Sequence, residues 1–238
     1  MSRHNKKNGE CVYCGAKGPI TDDHVPPRSF YPPMPPANLI TVPSCRKCNV
    51  EFSKEDDYVR FVLAVNEKAR GNPDRDQIIP AVKRFAERKE SRELLIDLYA
   101  SLDSAYRRTP AGIHVRSQYF TADGTRMDAF ARRVVKALFY REKGHRLPAG
   151  YIVNPIHHTK LDALARQSQD SREFLSFIIT ELIEHSEHQA WGEVFGYSWV
   201  QSPNDPEQAW WLLDFYGSAE YLCSTWKESE NATSLLII

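Results

Sequence analysis

The sequence is short of long apolar runs, glycine and net charge, and each shortage excludes a class of protein. Its uninterrupted apolar stretches, such as Ala209–Leu213, are far below the roughly 20 residues that cross a bilayer, so no membrane partner is expected. The first residues, Met1-Ser2-Arg3-His4-Asn5-Lys6-Lys7, have no apolar core, so no secretory leader is expected and the protein is assigned to the cytoplasm. Eleven glycines and fifteen prolines in 238 residues exclude collagen-like and low-complexity chains. An aromatic content of 11% excludes a disordered one, because it can build a core. The length suits one large domain or two small ones.

The formal charge is zero, with 31 basic and 31 acidic residues, which at first sight argues against a polyanionic partner. The distribution reverses that inference. Residues 1–54 hold 8 basic and 4 acidic side chains, residues 55–166 hold 21 and 15, and residues 167–238 hold 2 and 12. The chain is therefore basic to about residue 166 and strongly acidic after it. Such asymmetry fits a nucleic-acid partner for the basic part, or a C-terminal part merely solubilised by its acids.

Four of the five cysteines form two pairs, Cys11-Val-Tyr-Cys14-Gly15 and Cys45-Arg-Lys-Cys48-Asn49. Two such knuckles can give four thiolates to one tetrahedral Zn²⁺, and a reducing cytosol disfavours a disulfide framework. Redox or coincidental pairs are the alternative. Cys223 reads as a small buried residue in a strand.

The segment between the knuckles carries more chemistry. It contains Thr21-Asp22-Asp23-His24-Val25-Pro26-Pro27, a stiff proline-rich loop with Arg28, then Asn38-Leu39-Ile40-Thr41, and Asn49 directly follows Cys48. His24 is a natural base, since imidazole exchanges a proton near neutral pH. Asp23 and Asn49 offer hard oxygen ligands to a divalent cation such as Mg²⁺. Asp22 is a competing ligand. Neighbours in an extended segment point to opposite sides, so Asp23 can face a metal while His24 faces water. Taken singly, an Asp-His pair can be surface decoration, Asn38 a turn residue and Asn49 a helix cap.

In this order, residues 11 to about 55 resemble an HNH nuclease of the ββα-metal type. The resemblance implies a metal-dependent endonuclease, with DNA ahead of RNA as substrate and a 5′-phosphate and 3′-hydroxyl as products. His24 is then the general base, Asp23 and Asn49 hold Mg²⁺ or Mn²⁺, and Asn38 orients the His24 loop. Asp23 is preferred to Asp22 because the resemblance places the metal carboxylate directly before the base. Lys54 lies five residues after Asn49, where many relatives have a lysine at three or four. The rival reading is a non-catalytic zinc module that binds nucleic acid or a protein partner.

The expected fold class is α+β. A zinc-stapled ββα-metal module, residues 1–55, precedes a mostly helical α+β domain, residues 56–238, with a C-terminal antiparallel strand pair. The zinc is expected to staple a module that lacks enough core to fold alone. Beyond it, helices are predicted from Ser53 to about Gly71, over 80–89, 91–107, 126–143 and 171–185, with strands over 113–120, 191–200 and 210–225. Asp56 and Asp57 read as dipole partners in a first helical turn. On the 126–143 helix, Arg132, Lys136, Tyr140 and Lys143 oppose the apolar face, and are candidates for tracking a phosphate backbone or for plain solvation. His157-His158 and His185/His188 read as surface histidines. The appended domain would position nucleic acid, form a homo-oligomer or sense a regulatory partner.

Overall fold

The computed structural model describes residues 7–108 and 111–228. β1 (Lys7–Glu10) pairs antiparallel with β2 (Lys17–His24), and the first cysteine knuckle joins them. Cys11 N–H donates to the Ala16 carbonyl at 3.0 Å, and Gly15 N–H donates to the Cys11 carbonyl at 2.8 Å. Gly15 takes φ 73°, in the left-handed region where a Cβ is strained. β2 continues into pairing with β3 (Thr41–Cys45), giving a three-stranded sheet of order β1-β2-β3.

α1 (Arg46–Val65) follows β3 with no connecting loop, seven residues before the predicted start at Ser53. Cys45 occupies its N-cap position and Cys48 its first turn, so the second knuckle is itself the start of the helix. Residue 55 falls within this continuous helix. Asp56 and Asp57 are correspondingly mid-helix rather than first-turn dipole partners. Asp56 pairs with Arg133 and Asp57 with Arg60.

α2 (Pro73–Ala86) and α3 (Arg92–Ala100) come next. The helix predicted over 91–107 stops at Ala100, where the Ser101 hydroxyl donates to the Leu98 carbonyl at 2.8 Å. Its expected last turns form β4 (Leu102–Arg108) instead, paired with β5 (His114–Phe120). α4 (Gly124–Lys143) begins where Asp123 accepts the N–H groups of Thr125 and Arg126, and ends at Gly144 with φ 75°.

The C-terminal strands exceed the predicted pair. β6 (Tyr151–His157), β7 (Gln189–Trp191), β8 (Phe195–Gln201), β9 (Ala209–Phe215) and β10 (Ala219–Lys227) form one antiparallel sheet of order β6-β10-β9-β8-β7. The strand predicted over 210–225 is in fact a hairpin, turned at Tyr216 and Gly217 with φ 55° and 61°. α6 (Gln169–Glu184) covers one face of the sheet through Leu175, Ile178 and Leu182, which pack with Leu222, and α5 (His158–Ala165) adds Leu161 and Leu164 to the same cluster. The opposite face, with Trp211, Leu213, Phe215, Tyr221 and Cys223, joins the main core.

α4 lies at the centre of that core, and nine of its side chains are buried, Phe130, Val134 and Leu138 among them. The proline-rich loop is fastened to the same body. Phe30 is fully buried and stacks on Phe130 with centroids 5.5 Å apart. Tyr216 donates its hydroxyl to the Phe30 carbonyl at 2.5 Å. Trp191 Nε1 donates to the Asn38 carbonyl at 2.9 Å. The apolar side chains of the N-terminal sheet and the C-terminal sheet thus belong to one buried cluster. No helix among the described residues is long and apolar enough to cross a membrane.

Candidate active site

The four sulfurs of Cys11, Cys14, Cys45 and Cys48 lie within 4.8 Å of one another, an arrangement that can hold one metal ion such as zinc. Cys14 and Cys45 Sγ are 3.7 Å apart. Thiolates about 2.3 Å from a tetrahedral zinc stand about 3.8 Å from each other, so this spacing needs little adjustment. Burial pushes the Cys11 thiol up, but the N–H groups of Cys45, Cys14 and Tyr13 outweigh it and bring it down to about 7. Cys48 is pushed well up, by burial first and then by the neighbouring sulfurs. Four thiols so crowded ionise together only around a cation. Two of them also sit at the N-terminus of α1, where the helix dipole favours negative charge. Arg146 adds a positive charge beside the first knuckle. Its guanidinium packs where a Cβ at Gly15 would stand, 2.7 Å from Nη1, and it pairs with Glu10 at 3.6 Å.

Asp23 and His24 end β2 and face opposite ways. Asp23 is registered with Val42, which is buried, and His24 with Thr41, which is exposed. Cross-strand partners share a face, so Asp23 and His24 point to opposite faces of the sheet, and both are half-buried. Thr21 is on the Asp23 face and registered with buried Ser44. Asn49, one residue beyond Cys48 in α1, donates its Nδ2 to Thr21 Oγ1 at 3.2 Å. That bond holds Asn49 beside the exposed Thr21 of β2 and leaves its amide oxygen on the other arm. Asn38 is exposed, and its contact with Trp191 is made by its backbone carbonyl.

Behind Asp23 lies a polar cluster that sequence reasoning did not find. Tyr13, inside the first knuckle, donates its hydroxyl to Asp23 Oδ2 at 2.7 Å. Burial, then the Asp23 charge, pushes the Tyr13 phenol far up, so it keeps the proton it donates. Burial likewise raises the Asp23 carboxyl, against the pull of Tyr13, Arg133 and His24. Arg133 is 7% exposed and ion-pairs with Asp56. Its guanidinium stacks over Phe52 at 4.6 Å. Burial raises Asp56 to about 6, with Arg133 opposing and Asp23 adding to the rise. Two half-buried carboxyls, Asp23 and Asp56, thus share the surroundings of one buried guanidinium. The available signal was Arg133 itself, a charge among apolar residues on α4. It became readable only once α4 proved to be central.

Two of the basic residues proposed on α4, Arg132 and Lys143, reach the C-terminal sheet. Arg132 Nε donates to the Val153 carbonyl at 3.3 Å. Lys143 donates to Gln201 and lies 4.8 Å over the Trp199 ring. Tyr140 packs on the main core and Lys136 is half-buried. Arg28 is exposed on the turn after His24, and Arg46 and Lys47 are exposed beside the second knuckle. The Lys54 side chain lies outside the described residues.

The histidine pairs do not converge on a metal cluster among the described residues. His157 is half-buried rather than on the open surface. It caps α5 through Thr159 N–H, and burial, with His158 adding, lowers it to about 4. Near it, a cavity of about 520 Å³ opens among Val62 and Val65 of α1, Phe120, Met127, His157 and Tyr221. Comparison of the chain with known protein families, curated proteins and solved structures finds no match.

Proposed function

We propose that the N-terminal module is a metal-dependent phosphodiesterase of the HNH type, acting on nucleic acid and on DNA ahead of RNA. The observation that carries the reading is the convergence of β2 and α1. Asn49 of α1 bonds to Thr21, two residues before Asp23 on the same side of β2, Cys48 directly precedes Asn49, and His24 sits at the end of the same strand. Zinc on the four cysteines staples the two knuckles. Asp23 and Asn49 would hold a divalent ion such as Mg²⁺ or Mn²⁺, which supplies charge neutralisation for the phosphoryl oxygens. His24 takes the proton of a water whose oxygen attacks phosphorus, and the bond to the 3′ oxygen breaks. The products are a 5′-phosphate and, after proton uptake, a 3′-hydroxyl. Arg28, Arg46 and Lys47 give exposed positive charge around His24 and the second knuckle for the phosphate backbone.

The test is plasmid cleavage with added Mg²⁺ or Mn²⁺, comparing wild type with His24→Ala. Cleavage falls by at least about 100-fold in the variant, the scale of a lost general base, while zinc content and melting temperature hold. Equal cleavage by both proteins removes His24 from the mechanism.

A second reading keeps the four cysteines as a non-catalytic module that binds nucleic acid or protein. The hydrogen bond from Tyr13 to Asp23 favours it, because a carboxylate so engaged can serve the fold alone. Wild type that cleaves neither DNA nor RNA with any of these metals supports this second reading.

A further inference from the structure

We propose that Tyr13 is a positioning residue that ties the four-cysteine cluster to the carboxylate of Asp23, an inference that rests on the reading of Asp23 as a divalent-metal ligand. Two constraints act on this ring, and a third supports one of them. It lies between Cys11 and Cys14, so a metal on the knuckle fixes the backbone at both sides. It packs in a T-shaped arrangement with Phe52 from α1, with centroids 4.9 Å apart at 84°. Phe52 in turn is covered by the Arg133 guanidinium of α4. A phenol held by the knuckle and by α1 delivers its hydroxyl to one place, and there it meets Asp23 Oδ2 at 2.7 Å.

That bond does for the carboxylate what packing cannot. Asp23 is near the end of a strand, and a short polar side chain there turns about two torsions. A single donor fixed in space selects one orientation of the carboxylate. Partners of this kind orient ligating groups, and their loss costs about 10–100-fold in metal affinity. The arrangement also links the two metals. Zinc release frees the knuckle, the knuckle frees the ring, and the Asp23 carboxylate loses its fixed orientation.

The experiment titrates Mn²⁺ into the zinc-loaded full-length protein and follows free Mn²⁺ by electron paramagnetic resonance, with no nucleic acid present. Asp23→Asn defines the Asp23-dependent site by abolishing it. Tyr13→Phe keeps the ring and removes one oxygen, so one zinc per chain and a cooperative melting transition are retained. The expected result is an Mn²⁺ dissociation constant about 10–100-fold weaker in Tyr13→Phe than in wild type. Unchanged Mn²⁺ affinity in Tyr13→Phe overturns the proposal. Loss of zinc from Tyr13→Phe also overturns it, because the hydroxyl would then serve the knuckle and not the carboxylate. Wild type that binds no Mn²⁺ overturns the proposal and the ligand assignment together. Wild type that binds Mn²⁺ through Asp23 but cleaves nothing, with affinity weakened in Tyr13→Phe, sustains the positioning role and removes only the nuclease reading.

Discussion

Phe30→Ala tests whether the loop after His24 belongs to the same cooperative unit as the C-terminal sheet. Phe30 is fully buried, stacks on Phe130 of α4, and has its carbonyl held by Tyr216 from the β9–β10 turn. Truncating a phenylalanine so enclosed costs about 3–5 kcal/mol, from lost transfer free energy and the cavity left behind. For a chain of this length each kcal/mol moves the melting midpoint by about 2–4 °C, so the expected drop is about 6–20 °C. Two probes separate the halves of the molecule. Near-ultraviolet circular dichroism follows the aromatic C-terminal sheet, and the thiolate–metal absorbance of Co²⁺-substituted protein follows the knuckles. Both midpoints fall together if the core is one unit. A C-terminal midpoint that stays fixed while the Co²⁺ signal melts early would refute the argument. It would mean that the stacked rings touch without coupling the two regions.

Two further outcomes are expected. Purified wild type carries one zinc per chain by inductively coupled plasma mass spectrometry, and Cys48→Ser loses it; stoichiometric zinc in that variant would show that the four sulfurs do not act as one site. The Asp56 carboxyl titrates near 6 by carbon-detected NMR, because burial outweighs Arg133. Folding raises that value above the unfolded one, so its contribution to stability is full below about pH 4 and is lost as pH rises through about 6. A midpoint near 4 would mean that the guanidinium prevails.

The parts of the fold that local pattern encodes are legible in the sequence, and the parts that depend on distant partners are not. The knuckles, the Asp-His at the end of β2 and the helix over 126–143 are set by spacing alone. The true start of α1 is hidden because Arg46-Lys47-Cys48-Asn49 has no side-chain cap and little apolar pattern. Its organiser is the four-sulfur cluster, half of which lies more than thirty residues earlier in the chain. β4 is misread because Leu95, Leu98 and Leu102 fit a helical period, while its conformation comes from pairing with β5. β6 escapes notice because Pro155 interrupts it. An edge strand tolerates proline, since its outer side has no ladder to lose. At the site, residue order points to Asp23, His24 and Asn49. The contacts of Tyr13 and Arg133 arise only when the knuckle, α1 and α4 meet.

α1 runs from the second knuckle to the rim of the cavity with neither proline nor glycine inside it. Asn49 and Val62 are therefore two points on one rigid rod, about 20 Å apart at 1.5 Å per residue. A rod without a joint cannot bend to accommodate a load at one end. A tilt of α1 forced by an occupant of the cavity would swing Asn49 relative to Asp23, which is fixed in the sheet. The position of Asn49 is thus tied through one unbroken helix to that of Val62.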